Sequence, residues 1–174
     1  MLMAELKKSI REVPDFPKPG IRFYDVSTLF RNREAFAAVV SRLIERFRGD
    51  RIDAIAGIEA RGFVLAGAMA YALGTAVVMV RKPGKLPWRT ASERYTLEYG
   101  EAVLEIHQDA VEPGQRIVIV DDVLATGGTS AAAARIIERL GGKVEAFAFM
   151  VELGFLGGRR GLAPASVFSL IQYD

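Results

Sequence analysis

A chain of 174 residues, 51% hydrophobic and 25% charged, has the composition of a globular domain and is long enough to bury a core. Its formal net charge of +2 makes no case for a nucleic-acid surface, and the lack of cysteine excludes disulfides, thiolate metal sites and cysteine nucleophiles. The first eight residues hold no apolar run of the secretory type, so the expected setting is cytoplasmic.

In chain order, residues 2–13 have the pattern of a short amphipathic helix, broken by the extended turn Pro14-Asp15-Phe16-Pro17-Lys18-Pro19-Gly20. Residues 21–26 read as a short strand or a loop. Residues 34–47 place Phe36, Val39, Val40, Leu43, Ile44 and Phe47 at helical spacing. Residues 53–58 are predicted to form a buried strand, which leads through Glu59-Ala60-Arg61-Gly62 into a helix. The uncharged stretch 62–80 is long enough to raise a membrane span. Its pattern changes at Gly74-Thr75, however, and it predicts a buried helix (64–73) followed by a buried strand (76–80), with no membrane role.

Residues 82–92 are basic and rich in Pro and Gly, the composition of a mobile lid. Residues 95–99 and 102–106 alternate around Gly100 as in an antiparallel hairpin. The β-branched run Ile117-Val118-Ile119-Val120 predicts another buried strand, ending at the pair Asp121-Asp122. A loop, Ala125-Thr126-Gly127-Gly128-Thr129, then precedes a helix from Ser130, a stop at Gly141-Gly142, and a strand over 143–151. Strands alternating with helices predict a single α/β domain with a mostly parallel central sheet flanked by helices.

The segment from Val120 to Ser130 carries most of the chemistry. Consecutive glycines let backbone amides converge on an anion, and Thr126, Thr129 and Ser130 add hydroxyl donors at a helix start that already favours phosphate. Asp121 and Asp122 would repel a phosphate, so their partners are expected to be sugar hydroxyls or a hydrated Mg²⁺. A phosphorylated sugar satisfies both halves. The plainer alternative, a turn whose glycines only permit the bend, leaves the acidic pair and the threonines without a reason. Neither Gly-x-Gly-x-x-Gly nor Gly-Lys-Ser/Thr occurs there, which argues against dinucleotide and Walker-type sites.

Weaker signals lie elsewhere. Glu59, Ala60 and Arg61 are a candidate second anion site, although an Arg at a helix start is more often solvated or paired with a carboxylate. Arg81, Lys82 and Lys85 could cover a pyrophosphate leaving group when a lid closes; each taken alone could equally be a solvated loop cation. Trp88 is a packing or gating residue. By alternation alone Glu98 would be an outward-facing strand carboxylate. His107, the single histidine, is expected on the solvent side and is given no role.

The run Val120-Asp121-Asp122-Val123-Leu124-Ala125-Thr126-Gly127-Gly128-Thr129 resembles the phosphoribosyl-pyrophosphate motif of the type I phosphoribosyltransferases. Five further segments resemble the adenine-specific family of that group: residues 14–21, 55–63, 81–87, 97–100 and 168–173. The likeness runs essentially end to end. It implies a type I phosphoribosyltransferase-like fold with a small N-terminal hood (1–30) and an antiparallel lid hairpin (81–106). It also implies an enzyme of purine salvage that makes AMP and pyrophosphate from adenine and phosphoribosyl pyrophosphate with Mg²⁺.

By the same resemblance, residues 125–129 hold the 5′-phosphate, and Asp121 with Asp122 the ribose hydroxyls. Glu59, Ala60 and Arg61 hold pyrophosphate, in a loop with a non-proline cis peptide. Arg81, Lys82 and Lys85 cover it, with Arg81 reaching across a homodimer interface. Glu98 and Arg61 are the implied catalytic residues, Glu98 as the proton-transfer group. Phe23 and Leu153 sandwich the purine, while the backbone around Ile21 and Arg22 reads its edge. Mg²⁺ is held mainly by substrate, near Asp121 and Asp122, with no direct protein ligand. The chain departs from the family pattern at Tyr24, where many members carry an Arg associated with adenine binding. The alternatives are a 6-oxopurine (hypoxanthine or guanine) transferase and a non-catalytic regulator that binds phosphoribosyl pyrophosphate.

Overall fold

The computed structural model of the chain describes residues 3–97 and 100–174, and its elements gather into two units, Met1–Arg42 and Leu43–Asp174. In the first unit, helix α1 (Met3–Lys8) is followed by strand β1 (Arg11–Val13), which pairs antiparallel with β2 (Phe23–Asp25), Glu12 opposite Tyr24. Helix α2 (Ser27–Arg31) comes next, and α3 (Arg33–Phe47) begins in this unit and ends in the second. Asn32 starts α3 because its side-chain oxygen accepts the amides of Glu34 and Ala35, each at 3.1 Å.

The second unit contains β3 (Ala54–Ile58), α4 (Arg61–Leu73), β4 (Ala76–Val80), β5 (Thr90–Leu97), β6 (Gly100–His107), β7 (Arg116–Leu124), α5 (Gly128–Arg139), β8 (Lys143–Leu153) and β9 (Ser166–Tyr173). Two 3₁₀ turns, Gly154–Leu156 and Gly158–Leu162, lie between the last two strands. Five strands form one sheet in the order β4-β3-β7-β8-β9, and every pairing in it is parallel. Such a sheet needs cover on both faces, and its alternating residues divide accordingly. Ala54, Ala56, Ile58, Ile117, Ile119, Phe147 and Phe149 pack on one face with Ile136 and Ile137 of α5. On the other face Gly57 meets Ala66 and Phe63 of α4. The remaining pair, β5 and β6, is an antiparallel hairpin in register from Thr90↔His107 to Leu97↔Gly100.

Several expectations needed correction. The N-terminal helix ends at Lys8 rather than Val13, because residues 11–13 find a strand partner in β2 and leave the helix. β4 is not buried on both faces. It lies at the sheet edge, where Val78 and Val80 are buried but Val77 and Met79 are 47% and 45% exposed. The irregular stretch expected over residues 82–92 is shorter, since Thr90, Ala91 and Ser92 already pair with His107, Ile106 and Glu105. β7 does not stop at Val120. It runs on to Leu124 because β8 continues beside it, with Asp121 opposite Phe149 and Val123 opposite Val151. α5 begins at Gly128 rather than Ser130. His107 is half-buried against Trp88, with ring centroids 6.4 Å apart, and its Nε2 is buried without a hydrogen-bond partner among the described residues. Among those residues no helix is long and apolar enough to cross a membrane.

Candidate active site

Both strand-to-helix junctions foreseen from the sequence open at the same edge of the sheet. β3 and β7 are hydrogen-bonded neighbours with Gly57 opposite Val120, so Glu59-Ala60-Arg61 and Asp121-Asp122 come to lie side by side, at the strand ends where open parallel sheets bind ligands. The approach is close. A Cβ on Gly62 would stand 2.7 Å from the Val120 carbonyl oxygen and 3.0 Å from Asp121 Oδ1, so only glycine lets α4 start this near β7.

Arg61, the first residue of α4, turns its guanidinium onto the acidic pair, with Nε 2.5 Å from Asp122 Oδ2. Asp122 is buried. Its Oδ2 forms this ion pair off the hydrogen-bonding direction and has no hydrogen bond among the described residues. Asp121 is half-buried, and its Oδ1 accepts the Asp122 amide at 2.9 Å. Burial, and next the neighbouring Asp122 carboxylate, push the Asp121 carboxyl well above the ordinary carboxylate range. A group shifted this way favours a partner that offers hydrogen-bond donors or positive charge, which sugar hydroxyls and a hydrated cation both supply.

A cavity of about 370 Å³ lies over these residues, lined by Glu59, Ala60, Arg61, Lys82, Tyr95, Asp121, Asp122 and Thr129, among others. A smaller hollow of about 70 Å³ is lined by Asp121, Ala125, Thr126, Gly127, Thr129 and Ser130. Asp121 and Thr129 line both, so the two spaces adjoin. The smaller one is formed by the loop that the sequence offers as a phosphate cradle. Gly127 caps α5 with φ of 83°, a left-handed conformation that turns the loop into the helix.

The other expected residues are distributed as follows. The Glu59–Ala60 peptide is cis. Arg81 donates from Nε to Glu59 Oε2 at 2.9 Å and from Nη1 to the Lys85 carbonyl at 3.0 Å. Lys82 reaches the cavity, whereas Arg81 and Lys85 are not among its lining residues. Leu153 ends β8. Gly128 is the first residue of α5. In the first unit, Phe23 packs edge-on against Phe16 at 5.2 Å, Arg22 pairs with Glu12 at 2.9 Å, and Ile21 is exposed. Glu98 lies outside the described residues.

Sequence reasoning missed Tyr95 and Gly158. Tyr95 lines the main cavity, and its hydroxyl lies 3.4 Å from Thr129 Oγ1. Strand alternation could place it on a hairpin face, but nothing in the sequence says that this face meets the start of α5. Gly158 is buried directly against the loop of residues 125–127.

Comparison with known proteins bears on this arrangement. Residues 25–155 match the family described as "Phosphoribosyl transferase domain". The adenine phosphoribosyltransferase of Desulfitobacterium hafniense (strain Y51) is 55% identical over 99% of this chain and 100% of its own. The chain belongs to the adenine phosphoribosyltransferase family. Two solved members agree in fold. The enzyme from Thermoanaerobacter pseudethanolicus superposes with a TM-score of 0.95 at 49% identity, covering 99% of this chain and 100% of that one. The Saccharomyces cerevisiae enzyme, solved with adenine and an imino-altritol bisphosphate, gives 0.90 at 40% identity over 97% and 98%. The type I phosphoribosyltransferase-like fold foreseen from the sequence is therefore the fold of the chain.

Proposed function

We propose that this chain works in purine salvage, transferring the phosphoribosyl group of phosphoribosyl pyrophosphate to adenine and releasing AMP and pyrophosphate. The observation that carries the reading is the pair of adjoining hollows. One is walled by loop residues, hydroxyls and a helix start suited to a phosphate that stays bound. The other brings two carboxylates together with Arg61 and Lys82, suited to a sugar and a departing pyrophosphate.

The chemistry asks little covalent work of the protein. Displacing pyrophosphate from an anomeric carbon builds positive charge on the sugar and negative charge on the leaving group, so catalysis is positioning and charge stabilisation. In this reading Asp121 and Asp122 hold the ribose hydroxyls, and residues 125–129 fix the 5′-phosphate. Glu59, Ala60 and Arg61 receive pyrophosphate, and Arg81, Lys82 and Lys85 cover it. Glu98 handles the proton on the base. The base is assigned to Leu153 and, separately, to Ile21, Arg22 and Phe23. Mg²⁺, when bound with the substrate, neutralises phosphate charge. The buried Oδ2 of Asp122 and the Asp121 carboxyl are acceptors that would suit the waters of its hydration shell.

We further assign the working form to a homodimer in the cytoplasm. Val64 and Tyr71 on α4 are 45% and 93% exposed, and with Val77 and Met79 of β4 they give the second unit apolar surface that a second copy could cover. Sedimentation of Tyr71→Asp is expected to show a shift from dimer to monomer. The domain reading, with residues 1–30 as a hood and 81–106 as lid and hairpin, belongs to the same proposal.

The test is pyrophosphate release with phosphoribosyl pyrophosphate and Mg²⁺, adding each purine base in turn. Release that requires adenine supports the reading despite Tyr24. Release only with hypoxanthine or guanine would move the substrate to a 6-oxopurine, and tight ligand binding without release would indicate a regulator. For Glu98→Gln we expect kcat to fall about 10²-fold with substrate KM values little changed, as for loss of a proton-transfer group. Wild-type kinetics in that variant would remove Glu98 from the role.

A further inference from the structure

The stretch from Glu152 to Arg159 links two parts of the site that the functional reading treats separately. At one end Glu152 precedes Leu153, assigned to the base. At the other, Gly158 lies against the loop assigned to the 5′-phosphate. A Cβ on Gly158 would stand 2.2 Å from the Ala125 carbonyl oxygen and 2.9 Å from the Gly127 nitrogen, and a Cβ on Gly127 would stand 2.6 Å from the Gly158 carbonyl oxygen. Two glycine backbones are in direct contact, and neither tolerates a side chain without moving the other.

One ion pair closes this stretch into a loop. Arg159 donates from Nε to Glu152 Oε1 at 3.0 Å and from Nη2 to Oε2 at 2.5 Å, a two-pronged contact. Its Nη1 donates to the Val167 carbonyl at 2.7 Å, and Nη2 lies 3.4 Å from Ser169 Oγ, so the turn is tied to β9 as well as β8. Glu152 is buried, and the Arg159 guanidinium, the largest influence on it, holds its carboxyl below the ordinary range. Neither residue lines the two hollows described above. Glu152 is buried and Arg159 half-exposed, so the pair joins a buried carboxylate to a surface cation, and its two-pronged contact fixes the geometry of the turn.

We infer that Glu152 and Arg159 are positioning residues: their ion pair holds Gly158 as a backstop for the phosphate loop and Leu153 at the base subsite, so that one contact sets the reach of both substrates. This rests on the proposed transferase reading. It predicts a particular kinetic signature. Arg159→Gln and Glu152→Gln raise KM for both phosphoribosyl pyrophosphate and adenine about tenfold, with a smaller change in kcat, as expected for a displacement well under an ångström. Arg159→Lys keeps the charge but not the paired contact and gives intermediate values. Gly158→Ala, which touches only the phosphate end, raises KM for phosphoribosyl pyrophosphate and leaves KM for adenine near wild type.

The experiment is steady-state kinetics of these four variants well below their Tm, with calorimetric titration of ribose 5-phosphate alongside. A lowered Tm with both KM values unchanged would reduce the ion pair to a structural brace and overturn the inference. If the Arg159 and Glu152 variants fail to fold, Gly158→Ala decides: a weaker ribose 5-phosphate Kd supports the backstop, and an unchanged one removes it. Wild-type protein that binds ribose 5-phosphate but turns over no base ends the transferase reading instead, leaving the calorimetric comparison to judge the backstop.

Discussion

The two strand-to-helix junctions of the sheet share a plan but differ in what they present to a ligand. Between β3 and α4 only Glu59 and Ala60 intervene, and the junction offers charged side chains: Arg61 directed at Asp122, and Glu59 held by Arg81. Between β7 and α5 the chain makes a fuller loop, and it offers hydroxyls and a glycine turn with no cation among the lining residues of its hollow. In the proposed reading the difference matches two kinds of phosphate. A group that must leave needs charge that strengthens its departure, whereas a group that stays needs only a fixed cradle.

On that contrast, the two junctions are expected to fail differently when altered. Arg61→Gln is expected to have the largest effect, lowering kcat about 10²-fold or more while KM for phosphoribosyl pyrophosphate moves little, because its charge acts on the leaving group. Gly127→Ala should do the reverse. It forces a side chain into a left-handed position and against Gly158, at a cost of about 1–2 kcal/mol from the backbone alone, so KM rises and Tm falls with kcat less affected. Loss of kcat in the Gly127 variant together with loss of binding in the Arg61 variant would invert the assignment.

A smaller effect sharpens the comparison at the carboxylates between the junctions. Because Asp121 is raised in the folded state, holding it ionised opposes folding. The opposition is absent below the ordinary value of 3.8 and grows as pH rises through the shifted one. Asp121→Asn should therefore raise Tm at neutral pH, with the gain vanishing as pH falls toward 3.8, and should weaken substrate binding. A Tm gain that persists at low pH would point to repacking rather than to charge. The smallest effect belongs to Glu93 on β5, which accepts from Arg135 Nε at 2.6 Å and Arg139 Nη1 at 2.8 Å and ties the hairpin to α5. These arginines lower its carboxyl, so its contribution is present above the ordinary 4.5 and lost as pH falls. Denaturant titration of Glu93→Gln should show a loss under about 1 kcal/mol at neutral pH, since both arginines are half-exposed.

Legibility followed local pattern. Strands β3, β4, β7 and β8 and helices α3, α4 and α5 announced themselves through β-branched runs and helical spacing, whereas β9 and α2 did not, and both junctions stood out because charge and glycine interrupt apolar stretches in a fixed order. Where a segment's fate depended on a partner, the pattern misled. Residues 11–13 have helix-compatible neighbours but join a strand, and Ala76-Val77-Val78-Met79-Val80 reads as fully buried although its edge position exposes alternate residues. Tyr95, Gly158 and the Glu152–Arg159 pair were invisible for the same reason: their meaning comes from segments far away in the chain. Arg159 in Gly157-Gly158-Arg159-Arg160 reads as one more loop cation until the buried carboxylate beneath it is known.

The pairing of β3 with β7 also bears on how the molecule acquires its site. Asp53 reaches the Arg116 amide across 63 residues of chain at 2.7 Å, and Ala54 lies opposite Ile117. Closing so long a loop costs entropy before any contact repays it, and parallel pairing of this range is slow to form. Neither junction meets the other until that closure happens. Refolding should thus recover ribose 5-phosphate binding in the same slow phase that completes the sheet, and a nascent chain should be unable to hold the ligand until β7 has emerged.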